Sequence, residues 1–106
     1  MSIDQLKFIL SDIHKINTWM PPLFGKWKKE FEASSYTRWA CDELISFMAE
    51  SISPHTDTSV DEFIELTTAF KSKMIQCMKT NPKTAFIFEP GVKVCTDVSD
   101  VLQAMK

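Results

Sequence analysis

Apolar residues recur every three or four positions at the start of the chain. Ser2 and Gln5 have the spacing of a capping box, in which each side chain bonds to the other residue's backbone. The apolar positions that follow on this period are Ile3, Leu6, Ile9, Leu10, Ile13, Ile16 and Met20. This pattern predicts an amphipathic helix that ends near Trp19, because Pro21 and Pro22 lack backbone donors.

Helical spacing continues through residues 22–52. The apolar set is Leu23 or Phe24, Trp27, Phe31, Tyr36, Ala40, Leu44, Phe47, Met48 and Ile52. Ser34 and Ser35 could end a first helix here, yet neither glycine nor proline occurs between residues 26 and 53. One long helix and two shorter helices both fit this pattern.

A further helix is predicted after residues 53–57, which form a loop. Ser59 and Glu62 make a second capping box, and Asn81 with Pro82 ends the segment. Its apolar positions are Val60, Phe63, Leu66, Phe70, Met74, Cys77 and Met78.

The region near the carboxyl end shows a different pattern. Residues 84–88 and 92–95 are short and rich in aromatic and β-branched side chains, and Pro90 and Gly91 lie between them. A hairpin or an unpaired extended segment is expected over about residues 84–95, followed by a short helix capped by Thr96 or Asp97. The prediction is therefore a mainly α, single compact domain over residues 1–106: a four- or five-helix bundle with this short β element.

Composition indicates no need for a cofactor or a metal. The chain has 106 residues, of which 44% are hydrophobic, enough for a core without a metal or disulfides. Only two glycines occur, too few for a phosphate-binding loop or a dinucleotide fingerprint. His14 and His55 stand in no metal-binding spacing. No cofactor, no metal and no catalytic residue are predicted.

Three cysteines occur, Cys41, Cys77 and Cys95, with no pair at the two-residue gap of zinc sites. They are expected to be reduced and buried, as in a cytoplasmic protein. No secretory signal pattern is visible, and no uncharged run approaches the ~20 residues of a membrane span.

Charge is segregated along the chain. Between Trp39 and Phe70 there are seven acidic residues and neither lysine nor arginine, although the net charge is only −2. Five of them form the predicted partner-binding surface, named here the acidic patch: Glu50, Asp57, Asp61, Glu62 and Glu65. Such a surface suits a basic, nucleic-acid-binding groove on a partner enzyme. The same residues also fit a solvated face with acids that complement a helix dipole.

A lysine-rich aromatic segment over residues 24–31 supports an alternative function. Lysines beside a tryptophan are typical of proteins that bind single-stranded nucleic acid. The contact residues would be Lys26, Trp27, Lys28, Lys29 and Arg38. An amphipathic helix whose lysines face water, with Trp27 and Phe31 in the core, is the favoured explanation of the segment.

Two further aromatic residues, Phe8 and Trp19, lie away from the main apolar stripe of the first helix. They are expected either inside the bundle or on a partner or dimer surface.

The leading hypothesis is a non-enzymatic, inhibitory or regulatory protein-protein interaction module in the cytoplasm. Its small size, aromatic richness and separated charge resemble, in a general way, the small proteins with which phages block host enzymes. Homodimerisation is compatible with this hypothesis. A small cysteine enzyme is the third class considered, and it requires a thiol with a lowered pKa.

Overall fold

The fold is helical. A computed structural model of the chain describes residues 1–14, 28–53 and 56–106, with the backbone alone for residues 28–35. Its α-helices are α1 (Ile3–His14), α2 (Lys28–Ala49), α3 (Val60–Thr80) and α4 (Ala85–Ala104), and a short 3-10 helix, Pro82–Thr84, links α3 to α4. The mainly helical class predicted from the sequence is confirmed.

Both predicted capping boxes mark helix starts. The Ser2 amide donates to Gln5 Oε1 at 2.8 Å, and the Gln5 amide donates to Ser2 Oγ at 3.4 Å. At the start of α3 the Glu62 amide donates to Ser59 Oγ at 3.3 Å. These bonds satisfy amides that have no partner inside the helix. The end of α3 at Thr80, before Asn81, is also as predicted.

The structure decides whether the helical region in the middle of the chain breaks at Ser34 and Ser35. The helix α2 runs without a break through Ser34 and Ser35, so these two serines do not end it. The predicted end of the first helix near Trp19 lies outside the described residues, as do residues 22–27 of the helical region predicted over residues 22–52.

The predicted hairpin near residues 84–95 is wrong, because this region forms the first half of α4. Pro90 lies inside the helix, where it removes the amide that would bond to the Phe86 carbonyl. Thr96, predicted as a cap, instead donates its hydroxyl to the Val92 carbonyl at 3.0 Å, a bond typical of threonine inside a helix. No strand occurs anywhere in the described ranges.

Tertiary packing explains why the helix continues past Pro90 and Gly91. Gly91 is buried, and a Cβ atom placed there would lie 3.2 Å from Met74 Sδ and 3.4 Å from Ala40 Cβ. The glycine therefore permits a close approach of α2 and α3 to α4, rather than a turn. Burial of this face offsets the lost hydrogen bond.

Contacts at the chain termini define the topology. The Met1 amino group donates to the Thr58 carbonyl at 3.0 Å, just before α3. Lys106 Nζ lies 2.5 Å from Asp61 Oδ1 in the first turn of α3. The starts of α1 and α3 and the end of α4 thus share one end of the molecule, and residues 50–59 connect the end of α2 to the start of α3.

One apolar core joins the four helices. α4 packs against α1, α2 and α3 and contributes buried residues at helical spacing. Thr67 is a buried polar residue whose hydroxyl donates to the Phe63 carbonyl at 2.7 Å, so its burial leaves no unpaired donor. The buried apolar residues are Ile3, Leu6, Leu10, Ala40, Cys41, Leu44, Met48, Ile52, Phe63, Phe70, Met74, Val94, Cys95, Val98 and Leu102.

Candidate functional site

The acidic patch lies at the end of the molecule where α2 stops and α3 begins. Glu50 directly follows α2, Asp57 precedes α3, and the other three acids occupy the first two turns of α3. All five side chains are exposed. The structure therefore brings the five predicted residues to one end of the molecule and leaves their carboxylates in solvent.

Two of these carboxylates are already paired within the chain. Asp57 contacts the Met1 amino group, and Asp61 pairs with Lys106. Both pairs are exposed, so each contributes little to stability and neutralises its carboxylate only in part. Glu50, Glu62 and Glu65 form no ion pair with any described residue.

Helix dipoles account for the positions of Asp61 and Glu62 but not for the position of Glu50. Asp61 and Glu62 lie in the first turn of α3, where the positive end of the helix stabilises negative charge. Glu50 lies at the opposite kind of terminus: its amide donates to the Ser46 carbonyl at 3.2 Å, as the chain leaves α2. Negative charge is unfavourable there, so helix stability does not account for Glu50.

The second half of α3 carries the opposite charge. Lys71, Lys73 and Lys79 follow the acids of its first half. Lys73 Nζ lies 5.0 Å from the centre of the Phe47 ring, within range of a cation–π contact. The helix is therefore acidic at its start and basic toward its end.

Two aromatic pairs flank the place where α2 crosses α4. The rings of Tyr36 and Phe86 meet edge to face at 5.9 Å, and Trp39 and Phe88 do the same at 5.9 Å. Trp39 is 38% exposed and Phe86 54% exposed. This cluster is not predicted from the sequence, because the local pattern at residues 86 and 88 indicates a strand.

The other predicted contact residues are scattered. Phe8 is 80% exposed on α1, so it belongs to the surface and not to the bundle interior. Arg38 is exposed on α2. Lys28 and Lys29 lie in the first turn of α2, with side chains outside the described set, and the remaining predicted residues, Trp19, Lys26 and Trp27, lie outside the described residues altogether.

A groove of about 450 Å³ separates α1 from α2. Leu10, Cys41 and Ile45 form its apolar floor. Its polar wall residues are Lys7 and Ser11 on α1 and Asp42 and Ser46 on α2. The volume lies within the range of ligand-binding clefts in proteins, roughly 300–1,000 Å³.

The cysteines divide into two classes. Burial raises the pKa of Cys41 to about 12, and nearby Asp42 and Cys95 act in the same direction. Burial also raises the pKa of Cys95 to about 12, although Lys71 opposes it. Nucleophilic cysteines need the reverse shift. Cys77 is exposed, so the expectation that all three are buried is wrong for this residue.

His14, at the end of α1, faces Asp97 on α4. Its Nε2 lies 3.8 Å from Asp97 Oδ2, and this buried nitrogen has no hydrogen-bond partner among the described residues. Burial lowers the pKa of His14, Asp97 opposes that shift, and Lys93 adds to it.

The described residues contain no group of three or more histidine, cysteine or acidic side chains placed to hold a metal ion. Among the same residues, no helix combines the length and apolarity needed to span a membrane. No protein-family model, curated protein or solved structure matches the chain at a significant level.

Proposed function

We propose that this protein is a non-enzymatic interaction module that binds a basic surface of a partner protein through the acidic patch and thereby inhibits or regulates that partner. The observation that carries the proposal is the state of Glu50, Glu62 and Glu65. These three carboxylates are exposed at one end of the molecule and lack an ion pair among the described residues.

Glu50 gives the strongest support. A carboxylate at the end of α2 opposes the helix dipole, at a cost of roughly 0.3–1 kcal/mol. A charge that stabilises neither its helix nor an ion pair is available for an interaction outside the molecule. An acidic surface attracts a basic partner over distances near the Debye length and raises the rate of association.

The test compares two triple variants of equal net charge. The first is Glu50→Lys, Glu62→Lys and Glu65→Lys, within the patch. The control reverses three exposed carboxylates elsewhere: Asp12→Lys, Glu43→Lys and Glu89→Lys.

Each protein is used to capture partners from its native host, and captured proteins are identified by mass spectrometry. The binding kinetics of each one are then measured at several salt concentrations. We expect a basic partner whose association rate falls at least about ten-fold with the patch variant, with a flatter salt dependence. Association rates that are equal for the two triple variants would overturn the proposal.

Nucleic-acid binding is the second candidate function. The observation that favours it is the exposure of Arg38 beside the partly exposed Trp39, on the helix that begins with Lys28 and Lys29. A cation beside an accessible ring can contact a phosphate and stack on a base. Gel-shift assays with single-stranded DNA and RNA at low salt test this, and no complex with either polymer would exclude it.

A further inference from the structure

We propose that the groove between α1 and α2 is the docking site for a short amphipathic, basic helix of a protein partner. This inference rests on the proposed function and names the surface and the chemistry of the bound segment. Its wall residue Ser46 precedes Glu50 of the acidic patch by four residues, and its floor adds an apolar anchor point that the patch itself lacks.

The floor of the groove is suited to a bulky apolar side chain. Leu10 and Cys41 are 3% and 6% exposed, and half-buried Ile45 completes this surface. The hydroxyls of Ser11 and Ser46 bond to no described protein group, so they are available to a ligand. Apolar floors with a few polar wall groups are typical of sites that bind an anchoring side chain.

The charges beside the groove favour a cationic partner. Lys7, the basic wall residue, pairs with Asp4 at 3.9 Å. Asp42, the acidic wall residue, has no ion pair among the described residues and is exposed. The lysine is therefore partly compensated within α1, whereas the Asp42 carboxylate has no compensating cation among the described residues.

A row of side chains along α2 sets the spacing of the partner's cations. Asp42 and Ser46 lie one turn apart on one face of α2, and Glu50 follows at the same four-residue interval just after the helix ends. A separation of eight residues, as between Asp42 and Glu50, corresponds to about 12 Å along a helix axis. A partner helix with lysine or arginine side chains two turns apart matches this spacing, with its apolar side chain between them.

Phe8 supplies a further apolar contact. It lies one helical turn before Ser11 on α1 and is 80% exposed. Phe8 does not line the groove itself, so an amphipathic helix bound there would reach this ring only at the rim, beside Ser11.

The probe for the test is a fluorescein-labelled peptide of 14 residues composed of leucine, lysine and alanine, with its leucines on one helical face. A second peptide replaces each leucine by serine and keeps every lysine. Binding is followed by fluorescence anisotropy with the full chain, and circular dichroism checks that each variant is folded.

The matched variants are Asp42→Lys and Glu43→Lys, which change adjacent exposed carboxylates, of which only the first lines the groove. We expect Asp42→Lys to weaken binding of the leucine peptide about ten-fold or more, equivalent to about 1.4 kcal/mol. Glu43→Lys should change it less than about two-fold. The serine peptide should bind weakly to every form of the protein.

A second pair of variants fills space without changing charge. Ser46→Trp places a ring in the groove, whereas Ser72→Trp places one on an exposed position of α3. We expect Ser46→Trp alone to weaken binding about ten-fold or more. No binding of the leucine peptide, equal effects of Asp42→Lys and Glu43→Lys, or full binding to Ser46→Trp would each overturn the groove proposal.

The double variant Glu62→Lys, Glu65→Lys separates this inference from the proposed function, because neither residue lines the groove. If it abolishes capture of the natural partner while the groove variants have no effect on the peptide, the acidic patch stands and the groove proposal falls. If the groove variants abolish peptide binding and this double variant leaves partner capture intact, the groove proposal stands.

Discussion

The helices of the pair α3–α4 pack against each other more extensively than the helices of the pair α1–α2 do. A three-residue 3-10 helix joins α3 to α4, and both helices contribute long rows of buried residues, including Phe63, Phe70 and Val98. α1 has 12 residues, and a groove of about 450 Å³ lies between it and α2. The first pair is closely packed, whereas the second pair has a groove with an apolar floor between its helices.

The largest expected difference is between two identical substitutions, one in each pair. Phe63→Ala, on α3, removes a side chain that is 0% exposed and should lower the free energy of unfolding by about 3–5 kcal/mol. Phe8→Ala, on α1, removes a ring that is 80% exposed and should change it by less than about 0.5 kcal/mol. Urea denaturation measures both values. A loss above about 1 kcal/mol for Phe8→Ala would mean that this ring packs within the folded chain.

A smaller loss of stability is expected from a substitution at Gly91, where α4 packs closely against α2 and α3. Gly91→Val places methyl groups against Met74 and Ala40, which lie only 3.2 Å and 3.4 Å from the position that a Cβ atom would take, and overpacking of this kind costs about 1–3 kcal/mol. Glu89→Val on the same helix is the control, because residue 89 is exposed. Thermal unfolding followed by circular dichroism compares the two variants. Equal melting temperatures would show that α2 and α3 do not constrain this position.

The smallest expected effect concerns the contact of α1 with α4 at His14. Because burial lowers the pKa of His14 below 6.5, the unfolded chain binds more protons at this site than the folded chain. The contribution of His14 to stability is therefore complete above pH 6.5 and is lost as the pH falls through the lowered pKa. His14→Gln should reduce the decrease in unfolding free energy between about pH 7.5 and about pH 5.5.

The substitution Asp97→Asn tests the same pH dependence of the unfolding free energy. Asp97 raises the pKa of His14, so its removal should lower that pKa further and make the loss of stability at low pH larger. Urea denaturation at both pH values gives the comparison. An unchanged pH dependence in both variants would show that His14 has the same proton affinity in the folded and unfolded chain.

Helix ends were the part of the fold that local sequence could predict. Ser2 with Gln5 and Ser59 with Glu62 form hydrogen bonds within four residues, so the spacing alone determines the contact. The end of α3 before Pro82 is equally local.

The start of α4 could not be predicted in the same way. Its buried positions are Gly91, Val94, Cys95, Val98 and Leu102, a helical stripe that begins at a glycine next to a proline. Local propensity indicates a turn there. A helix forms there because Gly91 packs closely against Met74 and Ala40, which are distant from it in sequence.

The candidate site likewise has features that local sequence could predict and features that it could not. Exposure of the acidic patch follows from its charge, and all five residues are exposed as their polarity suggests. The pairing of Asp57 with the Met1 amino group and the groove between α1 and α2 depend on how distant segments pack. Neither the spacing nor the composition of the sequence contains that information.

The reversal of charge along α3 gives the side chains of this helix an electric polarity parallel to its axis. Its 21 residues extend over roughly 30 Å, with Asp61 and Glu62 near one end and Lys79 near the other. At low ionic strength, the acidic start of α3 would attract a cationic object and its basic end would repel one, and added salt would weaken both effects.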